Sequence, residues 1–180
     1  SRTARAGRRA ALQEMRRDPD VFLLGEDIAW KEGTIFSPGW LRQEAFPRLR
    51  YVLEPLRRAG IKCIYHSDGN LNSVLDDLVH DVAIDGLNPI EPGAGMDIRA
   101  IRRRYPHLVL LGNVDTSGVL PFGTPAQVEA AVRELICDLA PGGGLLIGSS
   151  SEVHAHVPIE NALAMYRAAR KYGRYPIATD

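Results

Sequence analysis

Ile61-Lys62-Cys63-Ile64-Tyr65 runs into His66-Ser67-Asp68-Gly69-Asn70, and Leu71 then opens a stretch that leads through Val82 to Ile84-Asp85-Gly86-Leu87. The first run is short and apolar, as a buried strand is. In the next stretch Leu71, Val74, Leu75, Leu78, Val79 and Val82 follow the i, i+3, i+4, i+7 spacing of a helix with one buried face. Ile84–Leu87 is again a short apolar run. Strand, polar turn, amphipathic helix and strand make one unit of a parallel α/β sheet with a right-handed crossover.

The same rhythm extends in both directions. Val21–Leu24 runs into Glu26 and Asp27, and Ile84–Leu87 into Asn88 and Glu91. Leu108–Leu111 runs into Asn113 and Asp115, and Leu145–Ile147 into Ser149, Ser150 and Ser151. Helical sequence lies between these runs. Ser37-Pro38 reads as an N-cap with proline at the first helical position, and the pattern continues to Ala59 with interruptions at Pro47 and Pro55. Asp97–Tyr105 is a shorter helix stopped by Pro106. Thr124-Pro125-Ala126-Gln127 is a capping box that opens a helix with Val128, Ala131, Val132, Leu135, Ile136 and Leu139 on one stripe. Pro158 opens the last helix. Trp30–Phe36 reads as a polar loop. Residues 1–19 form a lead-in with a short helix over Arg8–Arg17, and residues 20–180 form the domain. Five strands fit either an open doubly wound sheet or the C-terminal part of a (β/α)8 barrel, which needs eight. No Gly-rich turn follows the first strand, which counts against a Rossmann or P-loop start.

Composition narrows the function classes. Lys plus Arg number 22, as do Asp plus Glu, so the formal net charge is zero. That balance argues against nucleic acid as the main partner, since such partners call for a basic excess. The basic run Arg102-Arg103-Arg104 reads as a solvated helix C-terminus. Cys63 falls in a strand and Cys137 in a helix, so no disulfide framework is expected, and a reducing, cytoplasmic setting follows. No apolar stretch approaches the roughly 20 residues that cross a bilayer, and no signal peptide is visible.

Parallel α/β proteins place their chemistry at the carboxyl ends of the strands. The residues there are therefore the site candidates. His66 and Asp68, at i and i+2 where the chain leaves a strand, can turn toward one pocket as acid, base or metal ligands. Adjacent strand residues point to opposite sides, so one of Glu26 and Asp27 faces the pocket, and Asp27 is preferred. Asp27, His66, Asp68 and His154 are thus the catalytic candidates. Asn88, Glu91, Asn113, Asp115 and Ser149 are the candidates for binding a small-molecule substrate. Gly93-Ala94-Gly95 reads as a turn rather than a phosphate cradle, because Asp97 would repel an anion. Gly142–Gly144 reads as a helix stop.

From Asp27 to Ile177 the chain resembles the uroporphyrinogen decarboxylase superfamily. The resemblance rests on Ser37-Pro38 with Pro47, on His66-Ser67-Asp68-Gly69-Asn70, on Gly112-Asn113-Val114-Asp115, on Gly123-Thr124-Pro125 and on Pro141-Gly142-Gly143-Gly144. Pro158, Glu160-Asn161, Tyr172-Gly173 and Tyr175-Pro176 complete the ordered set. It implies a (β/α)8 TIM barrel, of which this chain supplies about the C-terminal five βα units. It also implies a pocket at the strand C-termini. By family default the expected activity is decarboxylation of a tetrapyrrole or related carboxylate without cofactor, a lyase reaction. The alternative is a zinc-dependent methyltransferase with a corrinoid partner, in which His66 and Asp68 would be the metal ligands. In that branch a His-x-Cys pair stands at the place of His66 and Asp68, and a second cysteine stands near Ser149–Ser151. This sequence keeps the histidine and has neither cysteine. A third expectation is a non-catalytic remnant. Five strands also leave two open sheet edges, at Val21–Leu24 and at Leu145–Ile147, so self-association as a homodimer is expected.

Overall fold

The apolar runs pair side by side in the order in which the chain visits them. The computed structural model describes residues 19–178, so the expected helix over Arg8–Arg17 lies outside the described residues. The strands are β1 (Val21–Gly25), the short pair β2 (Ala29–Trp30) and β3 (Gly33–Thr34), β4 (Lys62–His66), β5 (Gly86–Asn88), β6 (Val109–Val114) and β7 (Leu145–Ser149). The main sheet has the order β1-β4-β5-β6-β7, and every neighbouring pair is parallel. A doubly wound sheet reverses its direction of travel at a switch point. Here the sheet advances one way throughout, which is the arrangement of consecutive barrel staves. Among the described residues β1 and β7 each pair with one neighbour, so the sheet has two open edges.

The helices are α1 (Pro38–Trp40), α2 (Phe46–Arg58), α3 (Ile98–Arg104), α4 (Val119–Phe122), α5 (Pro125–Leu139) and α6 (Ile159–Tyr172). Helices α2, α3 and α5 pack against the sheet, and α6 packs on α5. Side chains alternate along a strand. Phe22, Leu24, Cys63, Tyr65, Leu87, Leu110 and Leu145 join the core formed with the helices. The opposite row contains Val21, Leu23, Ile64, Val109, Leu111 and Leu146. Val21, Leu23 and Leu146 in that row stand about half exposed, at 49%, 54% and 52%. The sheet therefore carries one buried apolar face and one apolar face with partial exposure.

Several local expectations are refined. Strands β4, β5, β6 and β7 extend past their apolar runs, so His66, Asn88, Asn113 and Ser149 are strand residues. Hydrophobicity marks where a strand is buried, whereas the ladder ends where hydrogen bonding ends. His66 pairs with both Gly25 and Asn88. The periodic stretch after Asn70 buries all six of its apolar residues, yet Asp77–Val82 is π-helical. It ends at Ala83 in the left-handed conformation, φ 59°. Pro47 and Pro55 do not break the second helix. Leu41–Ala45 is a π-helical turn just ahead of Pro47, and this wider turn leaves room for a proline ring that would otherwise crowd the carbonyl four residues back.

Two further corrections concern loops. Trp30–Phe36 is not simply a polar loop, because β2 and β3 form an antiparallel hairpin in it. Arg102 is not a freely solvated helix end. Its guanidinium donates to the carbonyls of Pro106, Leu108 and Gly144 at 3.2, 2.9 and 2.8 Å, tying the starts of β6 and β7 together. The capping boxes and stops behave as read. Thr124 and Gln127 cap α5 reciprocally, Asp97 caps α3, Gly93 lies in a short 3-10 turn, and Gly142–Gly144 all have positive φ. Among the described residues no helix is long and apolar enough to cross a membrane. Cys63 and Cys137 are free thiols.

Candidate functional site

The carboxyl ends of β1 and β4 bring three ionisable side chains together. Asp27, His66 and Asp68 each offer one ligand atom, and these atoms all lie within 4.8 Å of one another. The strands explain the meeting. Gly25 and His66 are register partners, so the residues just past them leave the sheet at the same level. Asp27 Oδ1 then accepts the main-chain N–H of Asp68 at 3.0 Å. This is the preferred member of the Glu26-Asp27 pair. Glu26 instead lines an apolar groove beside Leu24 and Phe46, and its carbonyl accepts the Tyr65 hydroxyl at 2.8 Å.

Ser67, between the two pocket residues, points the other way and is fully buried. Its hydroxyl accepts the Ile28 N–H and donates to the Asp68 carbonyl, both at 3.1 Å. That bond fixes the loop after β1 against the end of β4. Gly69 follows with φ 88°, and a Cβ there would stand 2.6 Å from the main chain of Trp30. The hairpin thus rests directly on the turn, and the Asn70 N–H donates to the Trp30 carbonyl at 2.8 Å. Only glycine fits this left-handed, close-packed position.

β5 supplies the next wall. Asn88, the register partner of His66, lies with its amide nitrogen 3.1 Å from His66 Nδ1. Glu91 Oε2 accepts the Gly69 N–H at 2.6 Å. Beyond them is a cavity of about 320 Å³ lined by Trp30, Lys31, Asp68, Glu91, Asp115 and Ser117, among others. Lys31 is the one cationic side chain among its lining residues. Burial, then the neighbouring Asp27 carboxylate, pushes the Asp68 carboxyl above the usual range. Burial also raises Glu91, and the carboxylates of Asp68, Asp115 and Asp27 reinforce it against the lowering by the Gly69 N–H. Asp68 Oδ1 is buried and has no hydrogen-bond partner.

Other expected residues are placed differently. His154 is outside the cluster. Its Nε2 donates to the Thr116 carbonyl at 3.1 Å and its Nδ1 accepts the His156 N–H at 3.2 Å, so both ring nitrogens are committed to the main chain. Asn113 is buried and donates to the Ile90 carbonyl at 2.7 Å, which ties the ends of β5 and β6 together. Ser149 lies in β7 opposite buried Val114. Its neighbour Ser150 is the residue engaged at this strand end, with the Thr116 N–H at 3.1 Å. Asp115 accepts the Ser117 N–H at 2.8 Å and also lines the cavity. The hairpin lysine and the buried Ser67 were not among the sequence candidates. Ser67 sits inside the His66–Asn70 motif but its type alone does not set its role, and Lys31 belongs to no motif, so only the folded contacts reveal them.

One imidazole nitrogen and two carboxylates form a donor set that suits zinc and related divalent cations. The orphaned Asp68 Oδ1 fits such a ligand, since a buried carboxylate oxygen without a partner is costly. The site is thus a strand-end carboxylate–imidazole cluster on consecutive barrel staves. The chain belongs to the uroporphyrinogen decarboxylase (URO-D) family, whose model matches residues 16–172. A curated relative described as the methylcobamide:CoM methyltransferase MtbA of Methanosarcina mazei is 27% identical over 128 residues, which cover 71% of this chain and 35% of that protein. A solved structure described as a methyltransferase from Methanosarcina mazei matches with a TM-score of 0.66 and 22% identity, over 86% of this chain and 43% of that one. The chain therefore spans less than half the length of either relative. The named relatives are methyltransferases, so the decarboxylase default drawn from the family resemblance gains no support from them.

Proposed function

We propose that this chain carries the metal-holding rim of a methyltransferase, with Asp27, His66 and Asp68 as ligands to a zinc-class divalent cation. The supporting observation is the convergence of one ligand atom from each within 4.8 Å, beside a buried Asp68 Oδ1 that has no hydrogen-bond partner. Bound there, the cation would act as a Lewis acid that lowers the pKa of a coordinated thiol, making it a nucleophile for the methyl group. The protein's own groups prepare that position. Asp27 holds the Asp68 main chain, Ser67 locks the turn between the ligands, and Glu91 holds Gly69. The Trp30 hairpin rests on that turn and holds it in place.

Cofactor-free decarboxylation is less well served. A substrate carboxylate entering the cavity would meet Asp68, Glu91 and Asp115, with Lys31 alone to attract it. Like charges in a partly desolvated site repel strongly. The curated relative's name suggests methylcobamide as the methyl-carrying partner, and a small thiol or other methyl acceptor as substrate.

The test is metal content followed by transfer. The chain is stripped with chelator and reloaded with zinc, and bound metal is counted by mass spectrometry. Loss of the methylcobalamin absorbance is then followed with a thiol present. One zinc per chain that is lost in Asp68→Ala, with zinc-dependent demethylation, is the expected result. Absence of stoichiometric metal in folded protein sinks the reading.

A further inference from the structure

The proposed centre depends on His66 presenting one particular ring nitrogen, and the structure identifies a residue suited to control that choice. We infer that Asn88 is a positioning residue, which holds His66 Nδ1 and leaves Nε2 for the cation in both the empty and the loaded site. The inference rests on the metal-centre reading above. Asn88 and His66 are register partners at the ends of adjacent parallel strands, so their side chains emerge side by side. The amide nitrogen lies 3.1 Å from Nδ1. Among the described residues Nε2 has no hydrogen-bond partner.

A primary amide has a donor at one end and an acceptor at the other. With the N–H end toward Nδ1, the neutral ring accepts there and carries its proton on Nε2. A cation on Nε2 requires that proton to leave this nitrogen, and the neutral ring then carries its proton on Nδ1. A half-turn of the Asn88 amide puts its carbonyl oxygen against Nδ1–H. The same side chain therefore satisfies both ring tautomers without moving the backbone. Metal-binding histidines usually have their second nitrogen held in this way, and losing the partner typically weakens metal binding about 10–100-fold. Aspartate can serve only the loaded tautomer, and leucine can serve neither.

Zinc and cobalt(II) titrations of the purified chain read the effect directly. Asn88→Leu is expected to weaken zinc binding about 10–100-fold, whereas Asn88→Asp keeps it close to wild type. Nitrogen-15 spectra of the His66 ring in the wild-type protein give a second readout that needs no variant. They should show the proton on Nε2 in stripped protein and on Nδ1 in zinc-loaded protein. Wild-type affinity in Asn88→Leu, or zinc carried on Nδ1, overturns the inference and leaves the metal centre standing. A wild-type chain that binds no zinc overturns both. If Asn88→Leu does not melt cooperatively, the ring spectra alone decide.

Discussion

Asp27 Oδ1 and the main-chain N–H of Asp68 are joined across two strand ends by a 3.0 Å hydrogen bond. One carboxylate therefore orients the other while both face the same point. The two duties separate by substitution. Asp27→Asn keeps an acceptor for the N–H but gives up the negative ligand. Its melting temperature should stay within a degree or two of wild type, while zinc affinity falls at least about tenfold. Asp27→Ala should lose the affinity and, in addition, roughly 1–3 kcal/mol of stability. Parallel metal titrations and denaturant unfolding check this. Unchanged zinc affinity in both variants would remove Asp27 from the ligand set.

Glu91 gives a pH signature. Its carboxyl is held above the ordinary value by burial first and by Asp68, Asp115 and Asp27 after it. A carboxyl raised in the folded state binds its proton more tightly there than in the unfolded chain. Its contribution is full below the ordinary glutamate pKa of about 4.3 and is lost as pH rises through the raised value. Glu91→Gln keeps an acceptor for the Gly69 N–H and removes the titration. In chelator, the variant should melt higher than wild type at neutral pH, and the difference should shrink toward pH 4. Melting curves across that range test it, and a difference independent of pH speaks against this origin.

Ser67 stands between two proposed ligands yet should affect stability rather than metal. Ser67→Ala leaves the Ile28 N–H buried without its acceptor, at a cost of roughly 1–3 kcal/mol. Zinc affinity measured well below the melting temperature should be nearly unchanged. A large loss of affinity with little loss of stability would reverse the assignment.

His154 should be silent in metal binding. One nitrogen is bonded to Thr116 in the loop after β6 and the other to His156 in its own loop after β7. His154→Ala is expected to retain zinc stoichiometry and affinity, as read by the same titration. Loss of the metal would restore it as a ligand.

The partly exposed apolar row predicts association. Leu23 and Leu146 lie near the two open edges, each about half exposed. Exposed apolar surface beside unpaired strand edges favours self-association. Light scattering should show the purified chain forming dimers or larger species at micromolar concentration. Leu23→Lys with Leu146→Lys should shift it toward monomer. A wild-type chain that is monomeric throughout contradicts this.

The units, the strand ends and the central pair were legible because a βαβ repeat writes its period into the sequence. The short apolar runs marked β1, β4, β5, β6 and β7, and strand alternation limited the pocket to at most one of Glu26 and Asp27 without deciding which. What could not be read was register and side-chain destination. Asn113 and His154 have the right chemistry at the right strand ends, but hydrogen bonds to Ile90 and Thr116 occupy them. Asn88 is a substrate-binding candidate by its strand-end position alone, and only the pairing of β4 with β5 shows that its amide lies beside His66. The π-helical turn at Asp77–Val82 preserves the same buried face, so periodicity alone does not distinguish it.

The one-way order of the sheet has a consequence for how the centre comes into being. Asp27 reaches Asp68 across 41 residues of chain and Asn88 reaches His66 across 22, and each link spans one seam between neighbouring staves. No single βα unit contains the cluster, so the ligand set exists only after the β1–β4 seam has closed, and Asn88 reaches His66 only after the β4–β5 seam has closed. A cation that recognises only the closed arrangement stabilises it by mass action. The ion would then work as a rivet, coupling the docking of β1 to β4, while Asn88 couples β4 to β5. The order of assembly and the readiness of the site become one property.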